Sequence, residues 1–135
     1  MPRFVDTNVI VYAYADDDDV KSARARAILQ DADLVLSAQV LGEFYVTATR
    51  PSREQKLTHE EAVAVVSSLT RFPVQPATSV LVLDALRATQ RFQISYWDAA
   101  IIEAARAAGC REVLSEDLND GQEYDGIVVR NPFRD

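Results

Sequence analysis

Phe4-Val5-Asp6-Thr7-Asn8-Val9-Ile10-Val11-Tyr12 reads as a short apolar strand that stops at an acid and restarts as an apolar helix. The acid thereby sits at a strand's carboxyl end, which in open α/β sheets is where ligands bind. Working outward, apolar runs predict strands near residues 3 to 6, 33 to 37, 72 to 75, 112 to 115 and 126 to 130. Helical spacing fills the intervals near 8 to 14, 20 to 31, 38 to 48, 59 to 70, 80 to 92 and 96 to 108. This alternation predicts an α/β fold with a mostly parallel central sheet flanked by helices on both faces. Pro73 and Pro76 demote the 72 to 75 strand to an edge or a short piece, because proline cannot donate to a ladder.

Three more acids stand at the edges of apolar segments. Glu43 lies within Gln39-Val40-Leu41-Gly42-Glu43-Phe44-Tyr45-Val46, a stretch that Ser37 opens as an N-cap, with Val40 and Val46 on the acid's own side. Asp98 is followed by Ile101, Ile102 and Ala105 at i+3, i+4 and i+7, so it shares the inward face of its helix. Asp117 follows the short strand Val113-Leu114-Ser115. Each acid has a structural alternative. Ser95-Tyr96-Trp97-Asp98 has capping-box spacing, Asp6 suits an Asx turn or an N-cap, Glu43 suits an ion pair, and Asp117 suits a polar turn with Asn119, Asp120 and Gly121. An isolated charge beside a buried segment is unfavourable, so its recurrence at four sheet edges and helix faces argues for one shared site.

Clustered carboxylates repel, and without a cation some are driven toward protonation. A hard divalent cation relieves that repulsion, and an all-oxygen set with no nearby histidine or cysteine suits magnesium. Zinc is disfavoured by the inventory. The single histidine, His59, belongs to the capping box Thr58-His59-Glu60-Glu61 and reads as a surface residue, and the single cysteine, Cys110, follows the helix-ending Gly109. A metal-activated water, held in line with a phosphate, is the chemistry needed to hydrolyse a phosphodiester, and it requires no side-chain nucleophile.

Together these residues carry a family resemblance. Phe4-Val5-Asp6-Thr7-Asn8, Leu41-Gly42-Glu43-Phe44, Ile94-Ser95-Tyr96-Trp97-Asp98-Ala99-Ala100-Ile101-Ile102 and Leu114-Ser115-Glu116-Asp117-Leu118 resemble the four acidic signatures of the PIN-domain family. Their order and spacing are most similar to VapC-type toxins of bacterial toxin–antitoxin pairs. The resemblance implies a PIN-like three-layer fold over residues 1–135 as a single domain, and a Mg²⁺- or Mn²⁺-dependent endoribonuclease. By the same carry-over Asp6 and Asp98 are the principal metal ligands, Glu43 and Asp117 complete the pocket, and Thr7, Asn8 and Ser115 support it. Glu116, Asp117 and Asp120 are near neighbours, and the residues alone leave open which is the fourth acid; the resemblance favours Asp117. It also implies an RNA substrate, a cognate antitoxin protein and a homodimer.

Composition sets further bounds. A chain of 135 residues with 48% hydrophobic content can fill one core. No stretch approaches the roughly 20 apolar residues of a membrane span, and the N-terminus lacks the pattern of a signal peptide. With the unpaired Cys110, a cytoplasmic location is the expectation. The net charge of −7 opposes the usual basic footprint of a nucleic-acid binder. The four site acids account for much of that charge, and RNA contact is expected to rest on local cations: Arg50, Arg53 and Lys56, or Arg87 with Arg91. The run Asp16-Asp17-Asp18-Asp19 reads first as a solvated turn, with attraction of metal as the lesser alternative. Val80-Leu81-Val82-Leu83 is apolar on every side and reads first as core, with partial exposure to a partner as the alternative.

Rival functions fit less well. A haloacid dehalogenase-type phosphatase expects a second Asp two positions after the first, where this chain has Asn8. A phosphorelay receiver expects a lysine after a late strand, whereas Lys21 and Lys56 come early. The glycines, Gly42, Gly109, Gly121 and Gly126, form no phosphate-cradling loop. A non-cleaving PIN-like module that binds RNA or protein is the remaining alternative, and the complete acidic set argues against it.

Overall fold

The computed structural model describes residues 1–134. Its strands are β1 (Arg3–Val5), β2 (Leu34–Ser37), β3 (Val74–Gln75), β4 (Glu112–Leu114), β5 (Glu123–Tyr124) and β6 (Ile127–Arg130). The helices are α1 (Thr7–Tyr14), α2 (Asp19–Ile28), α3 (Ala38–Ala48), α4 (His59–Leu69), α5 (Ser79–Phe92) and α6 (Tyr96–Ala107). The strands form one sheet in the order β3-β2-β1-β4-β6-β5, parallel throughout except that β5 runs antiparallel to β6.

Local chemistry accounts for where the elements begin. Helices α3, α4, α5 and α6 each open on a hydroxyl N-cap, namely Ser37, Thr58, Thr78 and Ser95, and α1 and α2 open on the carboxylates of Asp6 and Asp18. Each cap oxygen satisfies one of the amides left without a partner in the first turn. The central strands β1, β2 and β4 are apolar on both faces, and Phe4, Val5, Leu36 and Val113 are fully buried. A parallel strand covered from both sides has that composition.

Strand order fixes the place of the site. From β1 the chain runs outward through α1 and α2 to β2, then through α3 and α4 to β3; the α5–α6 pair carries it back across the sheet to β4 beside β1. Because parallel crossovers are right-handed, the reversal of direction sends α5 and α6 to the face opposite α1–α4, giving three layers. The outgoing connections of β1 and β4 diverge, which opens a crevice beyond their carboxyl ends. Residue 6 and residues 115–117 occupy that crevice.

One detail was not expected from the sequence, and one was. The 126 to 130 strand is one arm of a hairpin, and its partner β5 is a two-residue strand. Its turn uses Asp125 and Gly126, with φ of 53° and 95°; an Asp-Gly pair tolerates two successive positive φ angles at low cost. Strand β3 shrinks to Val74–Gln75 at the sheet edge, where flanking Pro73 and Pro76 leave little ladder to form.

Candidate active site

Asp6 ends β1 and caps α1, and only 7% of it is exposed. Its Oδ1 accepts from the Thr7 amide at 2.7 Å, and its Oδ2 accepts from Ser115 Oγ at 2.7 Å. Ser115 is fully buried at the end of β4, and its Oγ also accepts from the Asp117 amide at 3.1 Å, which ties the two strand ends together. Burial lifts the Asp6 carboxyl to about 6; the hydrogen bonds from Ser115 and Thr7 oppose the rise, and the negative charges of Asp117 and Glu43 add to it.

Asn8 links the acids. Its Nδ2 lies 3.4 Å from Asp6 Oδ2, 3.2 Å from Ser115 Oγ and 3.2 Å from Asp117 Oδ2, while its Oδ1 accepts from the Glu116 amide at 3.0 Å. Glu43, on α3, approaches from the other side: Thr7 Oγ1 donates to its Oε1 at 3.4 Å and Gln39 Nε2 at 3.0 Å. Thr7, Asn8 and Ser115, read from the sequence as supporting groups, each hydrogen-bond one or more of these acids. Gln39 was not anticipated, although a glutamine four residues before a helical glutamate is a readable contact.

The choice among the late acids follows from their partners. Glu116 lines the cleft, but Tyr12 Oη donates to one of its oxygens at 2.6 Å and Lys21 Nζ to the other at 2.6 Å. Burial acts against its ionisation, yet those two donors hold its carboxyl below the ordinary range. Asp120 turns away toward the C-terminal segment, accepting from the Asn131 amide at 2.8 Å. Asp117 alone of the three shares a donor with Asp6.

Asp98 stands apart from this trio. It lies in the first turn of α6, half-buried, at the same end of the sheet, and its amide donates to the Ser95 cap at 3.1 Å. Its side chain takes no hydrogen bond or ion pair among the described residues. Burial raises the Tyr124 hydroxyl and the charge of Asp98 adds to the rise, consistent with an inward-facing carboxylate. Its helix is joined to the trio through Gln39, whose Nε2 also lies 3.5 Å from the Trp97 carbonyl.

The cations read as RNA contacts separate in the fold. Arg53 lines the acid cleft, donating to the Ala15 carbonyl and lying 3.7 Å from Asp16, with its Nε buried and unbonded. Arg50 lines a neighbouring groove and Lys56 is exposed. Arg87 and Arg91 lie elsewhere, paired with Asp84 at 2.9 Å and Asp125 at 3.0 Å. In the acidic run, Asp16 lines the cleft and Asp18 caps α2. His59 is exposed, as expected, with its capping box formed and Tyr45 Oη 2.9 Å from its Nδ1.

A model of the PIN domain matches residues 3–120. The chain belongs to the PIN-domain family. No curated protein matches it in sequence. Among solved structures, this PIN domain is similar to VapC20 of Mycobacterium tuberculosis, a Sarcin-Ricin loop cleaving toxin, at 22% identity and a TM-score of 0.68 over 85% of this chain and 91% of that one. It is similar to a toxin–antitoxin complex from Klebsiella pneumoniae at 16% identity and a TM-score of 0.72, over 96% and 97% of the two chains. DNA-bound VapBC from Salmonella typhimurium matches at 19% identity and a TM-score of 0.69, over 98% of each chain. At these identities the likeness establishes the fold.

Whether a cation fits this PIN domain can be judged from the donors. Among the described residues no group of three or more histidine, cysteine or acidic side chains is gathered closely enough to hold a metal as placed. The chemistry nonetheless suits one: Asp6 is buried, rests on neutral donors, and is driven toward protonation by burial and by two flanking carboxylates. A hard cation would supply the counter-charge that these carboxylates lack.

Proposed function

We propose that residues 1–135 act as a single PIN-like domain and as a Mg²⁺- or Mn²⁺-dependent endoribonuclease, the toxin of a toxin–antitoxin pair. One observation carries the reading: a buried Asp6 whose carboxyl is raised to about 6, coupled through Asn8 to Asp117 and through Thr7 to Glu43, in the crevice beyond β1 and β4. Asp6 and Asp117 would hold the cation on the β-strand side, with Glu43 opposite and Asp98 completing the pocket from α6. When bound, such a cation supplies the acidity that activates a water and the charge that stabilises the leaving oxygen.

The remaining work falls to the chain's own groups. Asn8 spaces Asp6 from Asp117 and keeps both facing the crevice. Ser115 fixes the Asp6 rotamer and the turn that presents Asp117. Glu116 is held aside by Lys21 and Tyr12, and so is not a ligand. Arg53 borders the cleft but is held by the Ala15 carbonyl and Asp16.

The partner assignment rests on what the similar structures contain, a toxin–antitoxin complex from Klebsiella pneumoniae and DNA-bound VapBC from Salmonella typhimurium. On this chain, Leu81 of α5 faces the core while Val80, Leu83 and Leu86 form an exposed apolar stripe suited to a second copy of the chain or an antitoxin. No helix is long and apolar enough to cross a membrane among the described residues.

The test is incubation of antitoxin-free protein with cellular RNA and Mg²⁺ or Mn²⁺, alongside EDTA and a folded Asp98→Asn protein, with product ends mapped by sequencing. Discrete cuts, lost in both controls, are expected. Intact RNA from a folded, metal-loaded protein would favour the non-cleaving binding module.

A further inference from the structure

On the other side of Glu43 and Thr47 from the acid cleft lies a groove of about 490 Å³. Glu43 and Thr47 line both, so the groove is continuous with the acids across one turn of α3. Its floor is apolar and its ends are not. Trp97 is 62% exposed and Val46 57% exposed, an orientation that leaves aromatic and aliphatic surface in water. The Trp97 ring is braced by Tyr96, edge to face at 5.0 Å and 79°, and its backbone is tied to Gln39. Arg50, the next residue along the Glu43–Thr47 face, is exposed and has no ion pair among the described residues.

A fixed aromatic face beside an uncommitted guanidinium, opening onto a cluster of acids, matches the chemistry of unpaired nucleic acid. Bases stack on aromatic rings regardless of sequence, and the backbone phosphate seeks a cation. In a chain of net charge −7, an unpaired arginine at this point is a local exception that favours an anion. We propose that this groove is the subsite for an unpaired nucleotide flanking the scissile bond, with Trp97 stacking on its base and Arg50 contacting its phosphate. The assignment rests on the nuclease reading and deepens it by naming the residues that receive the base and the phosphate beside the cut. A protein segment is the weaker fit, because the wider apolar stripe is on α5.

Trp97 is the chain's single tryptophan, so its fluorescence reports on this groove alone. The cleavage-inactive Asp6→Asn protein, with Mg²⁺, is titrated with a short single-stranded RNA and with the same RNA in a duplex. Saturable quenching by the single strand and little by the duplex is expected. In the same background, Trp97→Ala and Arg50→Ala should each weaken binding of labelled RNA by about 5- to 100-fold, with Trp97→Tyr restoring most of it. If wild-type protein cuts RNA while Trp97 emission is unmoved and both alanine variants bind normally, the subsite is wrong and the nuclease stands. If wild-type protein neither binds nor cuts RNA, both fall. An emission change that follows protein concentration and dimer formation without RNA would assign the groove to an interface between copies, and overturn the proposal.

Discussion

The cleft beyond β1 and β4, of about 250 Å³, and the groove of about 320 Å³ between α5, α6 and the β5–β6 turn are both lined with charge, but only the second is balanced. In the second, Arg87 meets Asp84, Arg91 meets Asp125 and Arg106 meets Glu103, at 2.9, 3.0 and 3.1 Å. Every cation there has its anion, and Arg106 further donates to the carbonyls of Tyr124 and Asp125. In the first, Asp6, Glu43 and Asp117 rest on neutral donors from Thr7, Asn8, Ser115 and Gln39. The nearby cations are committed elsewhere, Lys21 to Glu116 and Arg53 to the Ala15 carbonyl and Asp16. Charge that is internally paired holds a surface together. Charge held in place without a partner is arranged for something that arrives from outside.

The comparison breaks most sharply at Asp6. Asp6→Asn should lower metal-dependent RNA cleavage by at least about 100-fold, more than the loss of a group that only orients a ligand. Single-turnover kinetics on a mapped substrate measures it, and a loss below tenfold would remove Asp6 from the centre of the site. Asn8→Ala should cost roughly 10- to 100-fold in cleavage or in Mn²⁺ affinity, since it releases the link between Asp6 and Asp117. Calorimetric Mn²⁺ titration separates the two effects.

A third prediction concerns stability without metal. The folded pKa of Asp6, about 6, lies above its ordinary 3.8, so the stability tied to its protonated form is complete below 3.8 and lost as the pH rises through about 6. Asp6→Asn should therefore stabilise the metal-free protein above that pH, on the order of 1–3 kcal/mol, and leave it little changed near pH 4. Urea denaturation in EDTA at the two pH values checks the sign. The smallest effect is expected in the balanced groove. Arg91→Ala should leave cleavage within about twofold and shift stability by no more than ~1 kcal/mol, as for other exposed pairs. A large loss of cleavage there would undo the contrast.

How much of this could be read from the chain depended on the range of the interactions. The turn from β1 into α1 was legible because a single residue, Asp6, ends one apolar run and begins the next. The caps at Ser37, Thr58 and Ser95 follow from spacing within a few residues, and the edge position of β3 follows from its prolines. The β5 strand was missed because two residues carry no alternation, although the Asp125-Gly126 turn signal was present. Which late acid faces the crevice needed the distant Lys21 and Tyr12, and the balancing of Arg87 and Arg91 needed Asp84 within one helix and Asp125 across the fold. The Asp84–Arg87 pair has a readable i,i+3 spacing, but the contacts of Asp125, Lys21 and Tyr12 cross the fold and leave no local pattern. Asp98 is the open joint: the same helix carries it to the right end of the sheet, yet no side-chain bond fastens it to the other three acids.

The most direct measurement is the titration of the Asp6 carboxyl by carbon NMR, with and without Mg²⁺. An uncompensated site should titrate near 6 in EDTA and move below the ordinary 3.8 when Mg²⁺ saturates the protein. A titration that stays near 6 with Mg²⁺ in excess, in a protein that remains folded, would contradict the assignment of this crevice as a metal-dependent active site.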